Sequence, residues 1–253
     1  MSNPLVTCIV THHLDENAPY LKLCLDSILA TKDVDFEVLC VADTKKHPTY
    51  QNDDRRLTTI WDRDLDHPLA TASAKMNWAA KHAAGKYLWF ISDDVMVGKH
   101  AMKSMAVVMG ENKLICNPMS NSDAGSQFWG DVGFPVKHSI EGFKSGNPTQ
   151  ELDVVETFVT TRMPLLVRAN GFVAFYCTMM SKAVWDEVGE LDATMDYRHN
   201  DQDYCIRAAQ LGIPSMINLG AFALHFGDKT IPKCVTKEQL DECSRVFQAK
   251  YHG

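Results

Sequence analysis

The sequence predicts an α/β protein built on a mostly parallel central sheet flanked by helices. Three observations carry that expectation. PLVTCIVT and FEVLCVAD are β-rich and nearly continuously apolar, as strands covered on both faces should be. Helical patterns separate such runs, and repeated strand–helix–strand order implies a parallel sheet wrapped by helices. A chain of 253 residues is long enough for one large domain with a sizeable core.

The elements follow in order. PLVTCIVT (4–11) is the first strand. HHLDENAP then connects it to a helix, with Asn17 placed to cap and Pro19 in the first turn. Leu21, Cys24, Leu25 and Ile28 fall on one face of that helix. FEVLCVAD (36–43) is a second buried strand and RLTTIWD (56–62) a third. TASAKMNWAAKHAAG reads as an alanine-rich helix packed through Met76, Ala80 and Ala83, with Gly85 at the stop position. YLWFISDDV is the next strand, and VGKHAMKSMAVVMG begins a helix soon after. Residues 117–147, rich in Gly, Ser, Asn and aromatics, read as a long loop, a feature that is usually functional in a compact domain.

LLVRANGFVAFYCTMM (165–180) reads as one strand, followed by a short helix capped by Ser181. HNDQDYCIRAAQLGIP is a helix capped by Asn200, with Tyr204, Ala208 and Leu211 on one face and Gly212 and Pro214 ending it. GAFALHFG is a further strand. TKEQLDECSRVFQAKY opens with a Thr236/Gln239 capping box and carries Leu240, Cys243 and Phe247 at helical spacing.

Composition narrows the function classes. Hydrophobic residues at 45% and charged residues at 23% are ordinary for a globular domain. The net charge of −7, with no long basic run, argues against a nucleic-acid partner. No apolar run approaches the roughly 18–20 residues that span a bilayer, and MSNPLVTCIV lacks the marks of a signal peptide. Eight singly scattered cysteines read as reduced thiols, so the expectation is a cytoplasmic protein, with peripheral membrane association left open. Oligomeric state is not legible.

Three places carry candidate chemistry. YLWFISDDV ends a buried strand in Asp93 and Asp94, where desolvation is costly. Spacing leaves two readings: a solvated turn or helix cap, or oxygen ligands for a divalent metal beyond the carboxyl end of the strand. In HNDQD, Asp201 and Asp203 complement the start of a helix, and Asp203 can pair with Arg207 at i+4. Asp201 points about 200° away around the axis and could serve as a general base facing a cleft. His225 ends an apolar strand, either as a satisfied core residue or as a ligand. Nucleotide, P-loop and hydrolase motifs with fixed glycine spacing are absent, as is structural-zinc spacing.

In their order and spacing these segments resemble the inverting glycosyltransferases of family two, from about Val6 to Thr230 with a gap in the loop-rich middle. The resemblance implies a GT-A type, Rossmann-like sandwich with a smaller antiparallel region on the acceptor side. It implies a single domain over 1–253: a nucleotide-binding half to about residue 96, an acceptor-side half from about 97 to 230, and a C-terminal helix over 231–253. VTCIVTHHLDENAPYLKLCLDSILA is similar to the family's first strand, turn and helix, which brings Thr11 and His13 to the donor. FEVLCVADT is similar to the second strand, although Ala42 stands where an aspartate is usual and Asp43 follows one residue later. SAKMNWAAKHAAGKYLWFISDDV is the strongest match and adds Lys75, Asn77 and Asp93 to the donor side.

The family's acidic metal motif appears as Ser92–Asp93–Asp94, which makes Asp94 the direct ligand; His225 falls where many members carry another. HNDQDYCIR is similar to the family's catalytic signature, with Asn200 in place of a glutamate. That correspondence implies Asp201 as the base and Asp203–Arg207 as a structural pair. ANGFVAFYCTMMSKAVWDEVGELD resembles the segment flanking the acceptor pocket, including Gly171; in the long loop, Phe128 and Trp129 either stack on a sugar face or anchor the loop to the core. The implied activity is metal-dependent (Mn²⁺ or Mg²⁺) inverting transfer from a UDP-, GDP- or dTDP-sugar to a hydroxyl of a glycan, lipid-linked or other acceptor. A sugar-phosphate nucleotidyltransferase is one rival, although the Gly-rich, basic signature usual in such enzymes is missing from VTCIVTHHLDEN. A catalytically silent nucleotide-sugar-binding module is the other.

Overall fold

The computed structural model describes residues 3–13, 15–42, 52–62, 65, 69, 71–121, 147–160, 166–227 and 235–252. Four parallel strands form one half of the sheet: β1 (Val6–His12), β2 (Phe36–Ala42), β3 (Leu57–Trp61) and β4 (Tyr87–Ser92), in the order β3-β2-β1-β4. The sheet continues through β8 (Cys177–Ser181), β6 (Ile115–Ser120), β9 (Ser215–His225) and β5 (Val95–Val97), while β7 (Leu166–Arg168) also pairs with β9. β8 runs antiparallel to β4 and β6, and β9 antiparallel to β5 and β7. The fold is therefore α/β, with a parallel half and an antiparallel region on the other side.

Period-two alternation sends neighbouring residues into different cores. Ile9, Leu88 and Phe90 pack on one face with Met76 and Ala80 of α2 (Ala72–His82), Trp185 of α5 (Lys182–Val188) and Tyr204 of α6 (Asn200–Gln210). Cys8, Val10, Trp89 and Ile91 pack on the other with Leu21 and Leu25 of α1 (Ala18–Leu29) and Met102 and Met105 of α3 (Ala101–Met109). Two further helices are α4 (Pro148–Thr160) and α7 (Lys237–His252). Seven of the eight cysteines lie among the described residues, and all seven are buried and free.

Several expectations hold in detail. Ser181 accepts from Val184 N, and Thr236 and Gln239 form the reciprocal capping box. Asn17 holds the cap position of α1 without a capping side-chain bond.

Others are corrected. Gly85 does not end α2, which stops at His82 with Ala83 already extended. The glycine is required because it lies against β1, where a Cβ would stand 2.5 Å from Thr7 N. The supposed loop from 117 begins as strand β6 and closes in helix α4, leaving only 122–146 outside the described residues. Polar letters concealed β6 because Asn117 is fully buried and spends its amide on Ala174 O at 2.8 Å. The run 165–180 is two strands, β7 and β8, with Gly171 turning between them at φ +103°. His199, not Asn200, occupies the cap position of α6; Asn200 instead accepts from Asp201 N and donates to Ser73 Oγ.

Candidate functional site

Register alone assembles the first cluster. β1 and β4 are paired in parallel with Thr11 opposite Ser92, so the next residues, His12 and Asp93, meet beyond the last rung. His12 Nδ1 and Asp93 Oδ2 are 2.5 Å apart, with both side chains buried. Burial pushes the Asp93 carboxyl above its ordinary range, opposed first by the hydrogen bond to His12. Lys75, only 2% exposed on α2, lies close enough to favour the carboxylate as well. His12 is the residue that sequence reasoning missed. The family resemblance points to its neighbour His13, which is exposed, whereas His12 is buried.

A second pair stands at the other end of the same acidic dipeptide. β5 pairs with β9 through Val95 and His225, which brings Asp94 beside the imidazole. Asp94 Oδ1 and His225 Nε2 are 3.3 Å apart. Two ligands at right angles, each about 2.1 Å from a Mg²⁺-sized ion, would be about 3.0 Å apart, so this oxygen and nitrogen fit one cation. Among the described residues no third His, Cys, Asp or Glu joins them.

The imidazole is held firmly. Its ring stacks on Tyr176 at 4.1 Å, and Asn121 bonds both its backbone groups: Nδ2 donates to His225 O at 2.9 Å and Oδ1 accepts from His225 N at 2.7 Å. Phe226 N donates to Asp94 O at 2.9 Å, completing the frame.

The third element is the start of α6. Asp201 Oδ1 accepts from Gln202 N at 2.8 Å, and burial pushes its carboxyl up to about 6. A carboxyl tuned there can take a proton near neutral pH. Asp203, fully buried, accepts from Arg207 Nε at 2.9 Å as its i+4 spacing implies. The segment 173–176 runs between this helix and the metal-fitting pair: Cys205 Sγ donates to Val173 O, and Tyr176 carries the ring beneath His225.

The remaining sequence candidates separate into groups. Thr11 is partly exposed at the end of β1, adjacent to the His12–Asp93 pair. Asn77 is buried and spends both ends of its amide on the backbone of Leu191, at 2.9 and 3.0 Å, bracing α2 against the chain after α5. Gly171 is exposed, with open space where a side chain would be. Asp43, Phe128 and Trp129 lie outside the described residues.

The profile described as "Glycosyl transferase family 2" matches residues 7–188. No curated protein matches the sequence. Among solved structures the chain is similar to GalNAc-T7 with UDP, GalNAc and Mn²⁺, with a TM-score of 0.62 and 11% identity over 89% of this chain and 44% of that one. It is also similar to the S. aureus TarS fragment 1–349 in complex with UDP-GlcNAc, with a TM-score of 0.58 and 15% identity over 99% of this chain and 66% of that one. A mannosyltransferase, PcManGT from Pyrobaculum calidifontis in complex with GDP-Man and Mn²⁺, gives 0.59 and 14%, over 91% and 59% respectively. At such identities the likeness is one of fold, the GT-A fold. The chain spans less than two thirds of each of these structures.

Proposed function

Because this chain belongs to glycosyl transferase family 2, we propose that it is a metal-dependent, inverting glycosyltransferase acting on a nucleoside-diphosphate sugar. The observation that carries this reading is the Asp94–His225 pair, an oxygen and a nitrogen 3.3 Å apart at the rim of the sheet. Mn²⁺ or Mg²⁺ bound there would supply positive charge to a leaving diphosphate. Asp94 and His225 would hold it. The structures of similar fold with UDP, UDP-GlcNAc or GDP-Man support a nucleotide-sugar donor.

Asp93, held by His12 at 2.5 Å, is assigned to the donor together with Thr11, His13 and Lys75. Asp201 takes the proton of an acceptor hydroxyl as that oxygen attacks the anomeric carbon from the face opposite the leaving group. One displacement inverts the configuration. The acceptor is a hydroxyl of a glycan, a lipid-linked or another molecule, reached from the half that follows about residue 97. No helix among the described residues is long and apolar enough to cross a membrane. The buried free thiols support a cytoplasmic setting.

Calorimetric titration with UDP-, GDP- and dTDP-sugars, with and without Mn²⁺, tests the reading alongside donor hydrolysis on the same samples. One donor should bind in a metal-dependent way and be hydrolysed. Binding without hydrolysis or transfer would leave a silent binding module, and absence of binding to all three would remove the transferase reading.

A further inference from the structure

The base proposed above sits between two tethers that both lead to the C-terminal helix. Two residues before Asp201, His199 adopts a left-handed backbone, φ +72°, which a side chain resists. Its ring stacks on Phe247 of α7 at 4.6 Å and 18°, and its Nε2 lies 3.1 Å from Ser244 Oγ on the same helix. Its Nδ1 meets Gln202 Oε1 on α6.

Two residues after Asp201, the buried carboxylate of Asp203 is divided between helices. Arg207 of α6 takes Oδ2 at 2.9 Å. α7 takes Oδ1, with Tyr251 Oη donating at 2.6 Å and Lys250 Nζ at 2.7 Å. Lys250 also reaches Asp192 Oδ2 at 3.1 Å.

We infer that α7 is a positioning element for catalysis: by fixing His199 and Asp203 it sets where the Asp201 carboxylate stands against the acceptor. This rests on the reading of Asp201 as the base. α7 itself lies beyond the residues matched by the family profile. A first helical turn has few internal bonds of its own, so its orientation is open to control from outside. Here α7 supplies four of the outside contacts, a stacked ring, a hydroxyl, a phenol and an ammonium, against one from α2, the Asn200–Ser73 bond.

The test uses Tyr251→Phe, Lys250→Met and the double variant in the full chain. These remove the α7 donors to Asp203 Oδ1 and leave the Phe247 stack in place. The double variant should show faster amide hydrogen exchange at residues 200–204. Its kcat for hydrolysing the donor found by titration should drop about tenfold or more, since displacing a reacting group by about 1 Å can cost ~100-fold. Donor KM and Mn²⁺-dependent donor affinity should stay within about twofold, because the donor side is not touched. In an Asp201→Asn background the same changes should cost nothing further, the non-additivity of groups acting as one unit.

Parental turnover in the double variant overturns the inference, as does an unchanged exchange rate at 200–204 or an additive loss in the Asp201→Asn background. If the double variant does not fold, Tyr251→Phe alone carries the test, with the same split between kcat and KM. A parental chain that binds no sugar nucleotide overturns both this inference and the transferase reading. A parental chain that turns over donor while the variants match it overturns only the inference.

Discussion

Asp94 and Asp201 are held by different kinds of neighbour. Asp94 is delivered by a strand: β4 and β5 fix its backbone, and its partner His225 arrives through the β5–β9 register. Asp201 is delivered by the first turn of a helix, steadied by side chains from a helix about 40–50 residues further along the chain. Backbone ladders place a residue regardless of most side-chain changes nearby, whereas side-chain tethers can be cut one at a time. On the proposed reading, the donor side of this molecule is therefore robust and the acceptor side adjustable.

The largest effect should come from the helix side. Asp201→Asn removes the proposed proton acceptor and should lower transfer about 10²–10⁴-fold, with donor affinity by calorimetry essentially unchanged. A variant that transfers at the parental rate would break the comparison at its centre. Asp94→Ala should act on the other quantity, weakening Mn²⁺-dependent donor binding by about 100-fold, the upper end of losses seen at groups supporting metal sites. If instead it lowered kcat alone, the sheet rim would not be the donor's anchor.

A packing change sharpens the contrast. Gly85→Ala places a Cβ against the β1 backbone, and overpacking of this kind typically costs about 1–3 kcal/mol. The denaturation midpoint should fall, while kinetic constants per folded molecule stay put.

The smallest effect is on pH dependence. Burial holds Asp201 near 6, above its ordinary carboxyl value, so turnover should rise with pH through about 6 and then level. The same shift means that the folded chain keeps a proton which the unfolded chain has released. Parental stability is thus lost as pH climbs from about 4 through 6. Asp201→Asn should show a thermal midpoint gain that grows across that window, checked by scanning from pH 4 to 8.

The parallel half was legible because β1, β2 and β4 are nearly continuous apolar runs and its helices have clear stripes. Asp93 and Asp94 stood out because carboxylates at the end of YLWFIS contradict the run before them. His12 was not legible, since a histidine beside another histidine before a polar turn gives no sign of which points inward; only the β1–β4 register decides it. β6 was hidden because Asn117 and Ser120 are polar in sequence yet buried. The two halves of 165–180 ran together because only the turn at Gly171 separates them. The contribution of α7 could not be read either, because Tyr251 and Lys250 meet Asp203 across 47 or 48 residues. A capping box announces where a helix begins but not what it holds.

β6 makes its last backbone rung to β9 at Ser120 and Ala223, and two residues later on β9 the amide of Asn121 takes the place of the next rung beside His225. The sheet is thus extended by a side chain, one donor and one acceptor matched to a peptide's spacing. Aspartate, though the same shape, would face the His225 carbonyl with a second oxygen and repel where asparagine binds. On its β6 edge the strand is finished by that one side-chain nitrogen, while the β5 ladder grips the same residue from the other edge.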